Sequence, residues 1–301
     1  MASDTRYADW IAVDWGTSQL RAYAMRGGNP VAEASSDKGM GTLTPDQFEP
    51  ALRDLIDPWL GQDRMTIIAC GMVGARQGWV EADYAAVPCA PTADTLTKAP
   101  TTDPRFDVHI LPGLKQDTPA DVMRGEETQI AGHLASEPDF DGIICLPGTH
   151  TKWAHISAGE VVSFRTFMTG EMFALLSSQS VLRHTVGAGW DDTAFTDAIS
   201  DAISRPEATM SRLFALRAEN LLHGLGPAAA RARLSGLLIG AELAASRPYW
   251  LGQDIVLIGQ AALAERYAQA LQAQGLAPRT VDATQATLSG LAAAHSKLTK
   301  A

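Results

Sequence analysis

The sequence is poor in cysteine and in basic residues, and it holds no long apolar run. Its three cysteines, Cys70, Cys89 and Cys145, are an odd number without zinc-ligand spacing, and Cys70 and Cys145 lie in apolar runs of the kind that bury free thiols. That argues against a disulfide framework and predicts a reducing, cytoplasmic setting. No segment approaches the ~20 apolar residues a membrane-spanning helix needs. The nearest, Leu234 to Ala245, is too short and contains Glu242; Gly236 and Gly240, one helical turn apart within it, predict close packing against a neighbouring strand or helix. The first residues, Met1 to Tyr7, lack the apolar core of a signal peptide. Lys and Arg number 24 against 34 Asp and Glu, a formal net charge of -10, which argues against a nucleic-acid partner because phosphate backbones are bound by clustered cations. A small anionic substrate needs only local positive charge. Gly-x-Ser-x-Gly, His-Glu-x-x-His, Cys-x-x-Cys and P-loop motifs are also missing, so hydrolase, zinc-enzyme and Rossmann readings lack support.

What is present is a repeated unit. The apolar run Trp10 to Val13 ends in Asp14-Trp15-Gly16-Thr17-Ser18, and Ile143 to Leu146 ends in Pro147-Gly148-Thr149-His150-Thr151-Lys152. Two strand-like segments follow each turn: Leu20 to Met25 and Val31 to Ala34 after the first, Trp153 to Ile156 and Val161 to Phe164 after the second. Such a duplication suits a polyphosphate held between two halves. Glycine lets the backbone approach an anion, exposed turn N–H groups donate to phosphate oxygens, and Thr or Ser hydroxyls add donors. Asp14, at a strand end, can hold Mg²⁺ through its water shell, because this cation keeps several waters and takes one or two carboxylates. Lys152 adds a positive charge beside the second turn, and His150, inside it, can donate to a phosphate oxygen. The remaining histidines are scattered without metal-ligand spacing.

With 301 residues and 46% hydrophobic content, the chain can bury a large core and is expected to form two domains. Strand-like and helix-like segments alternate, as in an α/β protein. A helix is predicted over Thr44 to Leu60, then a strand over Met65 to Cys70, a loop over Ala85 to Thr102, a strand over Val108 to Leu111 and a helix over Glu126 to Leu134. Ser136-Glu137-Pro138-Asp139 breaks that helix, which sets the expected boundary between domains 1–135 and 136–301. The second half reads as mostly helical, over Met168 to Leu182, Glu207 to His223 and Ala228 to Ala245, with a buried strand over Asp254 to Ile258 that runs into Gly259 and an Ala-rich helix. Ala283 to Leu298 reads as a final helix.

An ordered set of motifs carries a family resemblance over most of the chain. Ile11-Ala12-Val13-Asp14-Trp15-Gly16-Thr17-Ser18, Cys70-Gly71-Met72-Val73-Gly74-Ala75-Arg76-Gln77-Gly78-Trp79, Leu111-Pro112-Gly113-Leu114, Asp121-Val122-Met123-Arg124-Gly125-Glu126-Glu127-Thr128-Gln129, Leu146-Pro147-Gly148-Thr149-His150-Thr151-Lys152-Trp153 and Ser235-Gly236-Leu237-Leu238-Ile239-Gly240-Ala241-Glu242 together resemble the 2-dehydro-3-deoxygalactonokinase family of the actin, hexokinase and Hsp70 superfamily. The resemblance implies a two-domain actin-like ATPase (ribonuclease H-like) α/β fold, with duplicated βββαβα cores and a cleft between them. It also implies that the final helix, about 284–299, packs back on the first domain, and that the cofactors are ATP and Mg²⁺.

The same resemblance assigns roles. Gly16, Thr17 and Ser18 with Gly148, Thr149, His150, Thr151 and Lys152 would cradle phosphates, and Asp14 would hold the metal. Gly259 closes Val256-Leu257-Ile258-Gly259, which is similar to the superfamily's adenosine motif, although Gln260 stands where a second glycine is usual. Phosphoryl transfer to a hydroxyl needs a proton acceptor near the reacting oxygens. Glu126 and Glu127 lie at a predicted helix start ahead of the second turn, where the helix dipole keeps a carboxylate ionised. Glu126 is narrowly favoured and Asp121 is a third candidate; the Gly-Glu-Glu here is one residue shorter than the Gly-x-Glu-Glu of related exopolyphosphatases. A 2-keto acid presents a planar carboxylate that Arg meets with two parallel hydrogen bonds. Arg76 is the first candidate, with Gln77 for sugar hydroxyls and Trp79 to cover a chain face, and Arg124 is a further one.

The implied activity is ATP-dependent phosphorylation of the 6-hydroxyl of 2-dehydro-3-deoxy-D-galactonate, giving the 6-phosphate for galactonate catabolism. Three alternatives stay open: a kinase of a related sugar acid, a polyphosphate hydrolase, or a nucleotide-switched binding protein on the same fold. Expected partners are the small-molecule substrate alone, with no nucleic acid and no membrane; a homodimer is left open.

Overall fold

The computed structural model describes residues 8–92 and 95–300, so the segment read above for a leader lies outside the described residues. The chain divides into two units: Met1–Asp141 with Ile156–Ser163 and Ala283–Ala301, and Gly142–His155 with Phe164–Asp282.

The first unit opens with strands β1 (Trp10–Trp15), β2 (Leu20–Arg26) and β3 (Asn29–Ser36), followed by helix α1 (Phe48–Ile56) and strand β4 (Met65–Gly71). Short strands β5 (Tyr84–Ala86) and β6 (Thr97–Lys98), then β7 (Phe106–Ile110), β8 (Gly113–Asp117) and β9 (Ala120–Met123), lead to helix α2 (Glu126–Ser136). The second unit carries β10 (Gly142–Leu146), most of the hairpin β11 (Thr151–Ser157) and β12 (Glu160–Phe167), then α3 (Thr169–Ser178), α4 (Asp192–Ser204), α5 (Thr209–His223), α6 (Pro227–Ala245) and α7 (Arg247–Trp250). It closes with β13 (Ile255–Gly259), α8 (Ala261–Gln272) and β14 (Arg279–Asp282), and α9 (Ala283–Lys300) belongs to the first unit.

The duplication is visible in the sheets. The first unit's main sheet runs β3-β2-β1-β4-β7-β6 and the second unit's β12-β11-β10-β13-β14. In each, the first strand of a β-meander sits centrally and pairs in parallel with a later strand, β1 with β4 and β10 with β13. This is the actin-like α/β order. Central strands of such sheets are covered on both faces, which is why β1 and β13 read as near-continuous apolar runs, whereas the edge strand β3 alternates between exposed and half-buried residues. The period of two along β1 sends Ile11, Val13 and Trp15 into the core cluster that includes Phe48 and Leu52 of α1, and Trp10 and Ala12 into the one that includes Leu291 and Ala294 of α9.

Glycine sets two close helix pairs. A Cβ at Gly132 of α2 would overlap the Ala286 carbonyl, and one at Gly290 of α9 would overlap that of Thr128, so these helices meet backbone to backbone. Gly236 and Gly240 of α6 face Phe195, Ala198, Ile199 and Ala202 of α4, which is the close packing expected of that glycine pair.

Three local expectations are corrected. The helix over Thr44 to Leu60 is three pieces: a 3-10 turn Pro45–Gln47 with a Thr44/Gln47 capping box, α1, and a 3-10 turn Asp57–Trp59. Pro58 has no N–H to continue the α-helical ladder, so the regular helix stops at Ile56. The loop over Ala85 to Thr102 contributes to two strands, and a separate three-stranded sheet, β5-β8-β9, was not foreseen. The helix over Met168 to Leu182 ends as α3 at Ser178, followed by a 3-10 turn at Val181–His184.

Candidate active site

In the first unit, three chain segments converge at the carboxyl end of the sheet. Asp14 pairs with Cys70, and Trp15 with Gly71, at the ends of β1 and β4. Gly71 takes a φ of 90°, and Gly125, the residue before α2, takes 108°; a Cβ on Gly125 would lie 3.4 Å from the Gly71 Cα. Glycine permits both the left-handed backbone and this approach. Beside the joint, the buried Cys70 thiol is pushed well up by desolvation and by the charges of Asp14 and Glu127. Burial raises Asp14 as well, partly offset by Arg21, whose Nη1 stands 3.7 Å from its carboxylate.

The two glutamates at the start of α2 differ. Glu127 is 1% exposed; its Oε2 accepts from the Gly125 N–H at 2.6 Å and its Oε1 from the Thr128 hydroxyl at 3.0 Å. Desolvation, with the neighbouring Glu126 charge, lifts it to about 7. Glu126 is half-buried and accepts from the Arg124 N–H at 3.0 Å. Asp121 lies in β9 opposite Gln116, with its Oδ1 taking the Val122 N–H.

The first turn is held by backbone. Gly16 N–H donates to the Gln19 carbonyl, and the Gly16 and Thr17 carbonyls accept from the Met40 and Gly41 N–H groups, which leaves Thr17 and Ser18 exposed at the tip. The loop after β4 is wound more tightly. Trp79 N–H donates to the Val73 carbonyl, and Arg76 and Gln77 stand exposed at the apex. Trp79 itself is 7% exposed and packs against Trp15 and Phe48, so it is a core residue and has no free face for a ligand. Arg124 is also buried. It stacks on Tyr84 at 4.3 Å and donates to the Ala82 carbonyl at 2.7 Å, while its Nε and Nη1 find no partner. Nη1 abuts Gly74, where a Cβ would come within 2.9 Å, so Arg124 clamps the underside of the 74–84 segment.

In the second unit, the turn is shorter than the motif suggests. Gly148, Thr149 and His150 face outward, with His150 Nε2 2.7 Å from the Glu171 carboxylate. Thr151 and Lys152 belong to β11 and are buried on its opposite faces, Thr151 bonding the Tyr267 hydroxyl at 2.9 Å and Lys152 the Thr166 hydroxyl at 2.8 Å. Gly259, at the end of β13, lies beside the head of this turn, since a Cβ there would be 3.4 Å from the Pro147 carbonyl oxygen. Sequence reading missed what lies beneath: Glu242 of α6, 3% exposed, accepts from Trp153 Nε1 and the Tyr267 hydroxyl, each at 2.8 Å, and from the Thr169 hydroxyl. Burial lifts Glu242 to about 7. The available signal was a glutamate inside an apolar helical run, a charge that must find partners when buried.

Among the described residues no group of three or more His, Cys, Asp or Glu could hold a metal, and no helix is long and apolar enough to cross a membrane. Duplicated sheets, each ending its first strand in a glycine-threonine turn, define the actin-like α/β fold class. The chain belongs to the 2-keto-3-deoxy-galactonokinase family, whose model matches residues 14–294. It is 41% identical over 297 residues to the protein named "Probable 2-dehydro-3-deoxygalactonokinase DgoK1" of Rhizobium meliloti (strain 1021), covering 95% of this chain and 96% of that one. It is 34% identical over 278 residues to the 2-dehydro-3-deoxygalactonokinase of Escherichia coli (strain K12), covering 89% and 91%. A crystal structure of a Sinorhizobium meliloti protein described by the same enzyme name superposes with a TM-score of 0.90 at 40% identity, over 96% of this chain and 99% of that one. As a kinase of this family the protein uses ATP.

Proposed function

We propose that the protein transfers the γ-phosphoryl group of ATP to the 6-hydroxyl of 2-dehydro-3-deoxy-D-galactonate, giving 2-dehydro-3-deoxy-6-phosphogalactonate. The observation that carries this reading is the family match, which runs from Asp14 through both turns to residue 294. In the first unit, Gly16, Thr17 and Ser18 present donors to phosphate oxygens, and Arg76, exposed and without an ion-pair partner among the described residues, takes the substrate carboxylate. Gln77 beside it bonds sugar hydroxyls, and Arg124 fixes the segment that carries both. In the second unit, Gly148, Thr149 and His150 bind phosphate, and Gly259 leaves room for the nucleoside.

The donor set suits Mg²⁺. Asp14 is a single, 24% exposed carboxylate at a strand end, which fits a hard cation that keeps its waters and shares phosphate oxygens. When bound, that ion neutralises phosphate charge. Glu126 accepts the proton of the attacking hydroxyl, because it is the less buried of the two glutamates. Glu127, with both oxygens engaged, holds Gly125 and the start of α2. The chemistry is a cytoplasmic one, on a soluble sugar acid drawn from galactonate breakdown.

Arg76→Ala tests the substrate assignment by steady-state kinetics. Loss of a charge-assisted bidentate contact of ~1.5–3 kcal/mol raises KM for the sugar acid roughly 10- to 100-fold and leaves KM for ATP unchanged. Equal changes in both constants, or none, refute it.

A further inference from the structure

The second turn is hung on one buried carboxylate. Its rear edge meets the start of α3: Glu171 N–H donates to the Thr149 carbonyl at 2.9 Å, and a Cβ on Gly170 would overlap the Gly148 carbonyl. Thr169, the first residue of α3, has no capping partner before it and instead donates its hydroxyl to Glu242. The turn's other flank is β11, and it is tied to the same carboxylate twice. Trp153 donates to Glu242 directly, while Thr151 bonds the Tyr267 hydroxyl, which donates to Glu242 in turn. Glu242 lies inside α6, and α6 is fixed by its close packing on α4.

We infer that Glu242 is a positioning residue for nucleotide binding: it sets the geometry of Gly148 and Thr149 by clamping α3, β11 and α8 to a single acceptor. The inference rests on the reading of this turn as a phosphate site. Three donors engage both oxygens of this buried carboxylate, so the network can specify one arrangement of its members. Outer partners of this kind orient the groups that touch a ligand, and their removal commonly costs tenfold or more in affinity. An amide at this position supplies one acceptor oxygen where the carboxylate supplies two, and its NH₂ faces donors. Removing only the Thr169 hydroxyl cuts the α3 tie and leaves the carboxylate and its other partners in place.

The test uses the full chain and compares KM for ATP and for the sugar acid in Thr149→Ala, Glu242→Gln, Thr169→Val and Thr169→Ser. Glu242→Gln and Thr169→Val each raise KM for ATP about tenfold, with KM for the sugar acid within about twofold, and Thr169→Ser, which keeps the hydroxyl, restores the native value. If Thr149→Ala raises KM for ATP but Thr169→Val and Glu242→Gln do not, the positioning role is wrong and the phosphate turn stands. If Thr149→Ala leaves KM for ATP unchanged, the turn reading fails and the inference falls with it. Should Glu242→Gln not fold, the Thr169→Val and Thr169→Ser pair decides alone, because a hydroxyl at a helix start is removed without emptying the core.

Discussion

Glu127 and Glu126 are adjacent in sequence and opposite in environment, and the difference is measurable. Burial raises Glu127 from 4.5 to about 7, so between those values the folded protein holds a proton that the unfolded chain has released. The associated stability is complete below pH 4.5 and is lost as pH rises through about 7. Glu242 shifts in the same direction over the same window. Urea unfolding should therefore show stability falling from pH 5 to pH 8, by on the order of 2 kcal/mol for each carboxyl. Glu127→Gln should remove part of that slope, with Glu242 supplying the rest, whereas Glu126→Gln should only lessen it, because burial is the larger cause of the Glu127 shift and the Glu126 charge the smaller one, and should lower kcat ~10²-fold or more. A slope unchanged in Glu127→Gln contradicts the assignment. Side-chain direction was the least legible level of the sequence. Trp79, which its motif offers as a ligand cover, is a core residue, and Lys152, which its motif offers as a charge beside the turn, bonds Thr166 from a strand. A turn motif names residue types, but where the following strand begins, and its cover on both faces, decides which of them are exposed.

At the level of elements, the strongest constraint is the contact of α2 with α9. Both helices are rich in alanine and glycine, and their approach brings Gly132 and Gly290 against opposing carbonyls. Gly132→Ala or Gly290→Ala should therefore destabilise by ~1–3 kcal/mol or more in urea unfolding, despite alanine's better helix propensity. Gly28→Ala, where nothing lies within 4 Å, should stay within ~0.5 kcal/mol. Equal effects at all three positions would mean that the helices are not in backbone contact. Long, patterned elements were legible because periodicity and punctuation agree, as in β1, α2 and α6. The β5-β8-β9 sheet was not, since its strands are three to five residues long and β8 carries the polar run Lys115-Gln116-Asp117. Helix α4 was passed over for a related reason: its capping Asp191 is clear, but only Phe195, Ala198, Ile199 and Ala202 of its thirteen residues are buried.

For the molecule as a whole, the repeated sheet order was written in the repeated turn. An apolar strand, a Gly-Thr turn and two further strands recur, and each copy contributes to a sheet in which its first strand is central. The late-arriving parallel strand β14 depends on contacts between distant segments, which no local pattern encodes, and the return of α9 to the first unit is legible only through the family resemblance. The central claim is that this chain phosphorylates a 2-keto-3-deoxy sugar acid. The most direct measurement is ADP release coupled to mass analysis of the product, with 2-dehydro-3-deoxygalactonate, its gluconate-derived epimer and polyphosphate offered separately. A sugar-acid kinase of this family releases one ADP per phosphorylated galactonate derivative and leaves polyphosphate intact. ADP release that ignores the sugar acid, or hydrolysis of polyphosphate, contradicts it.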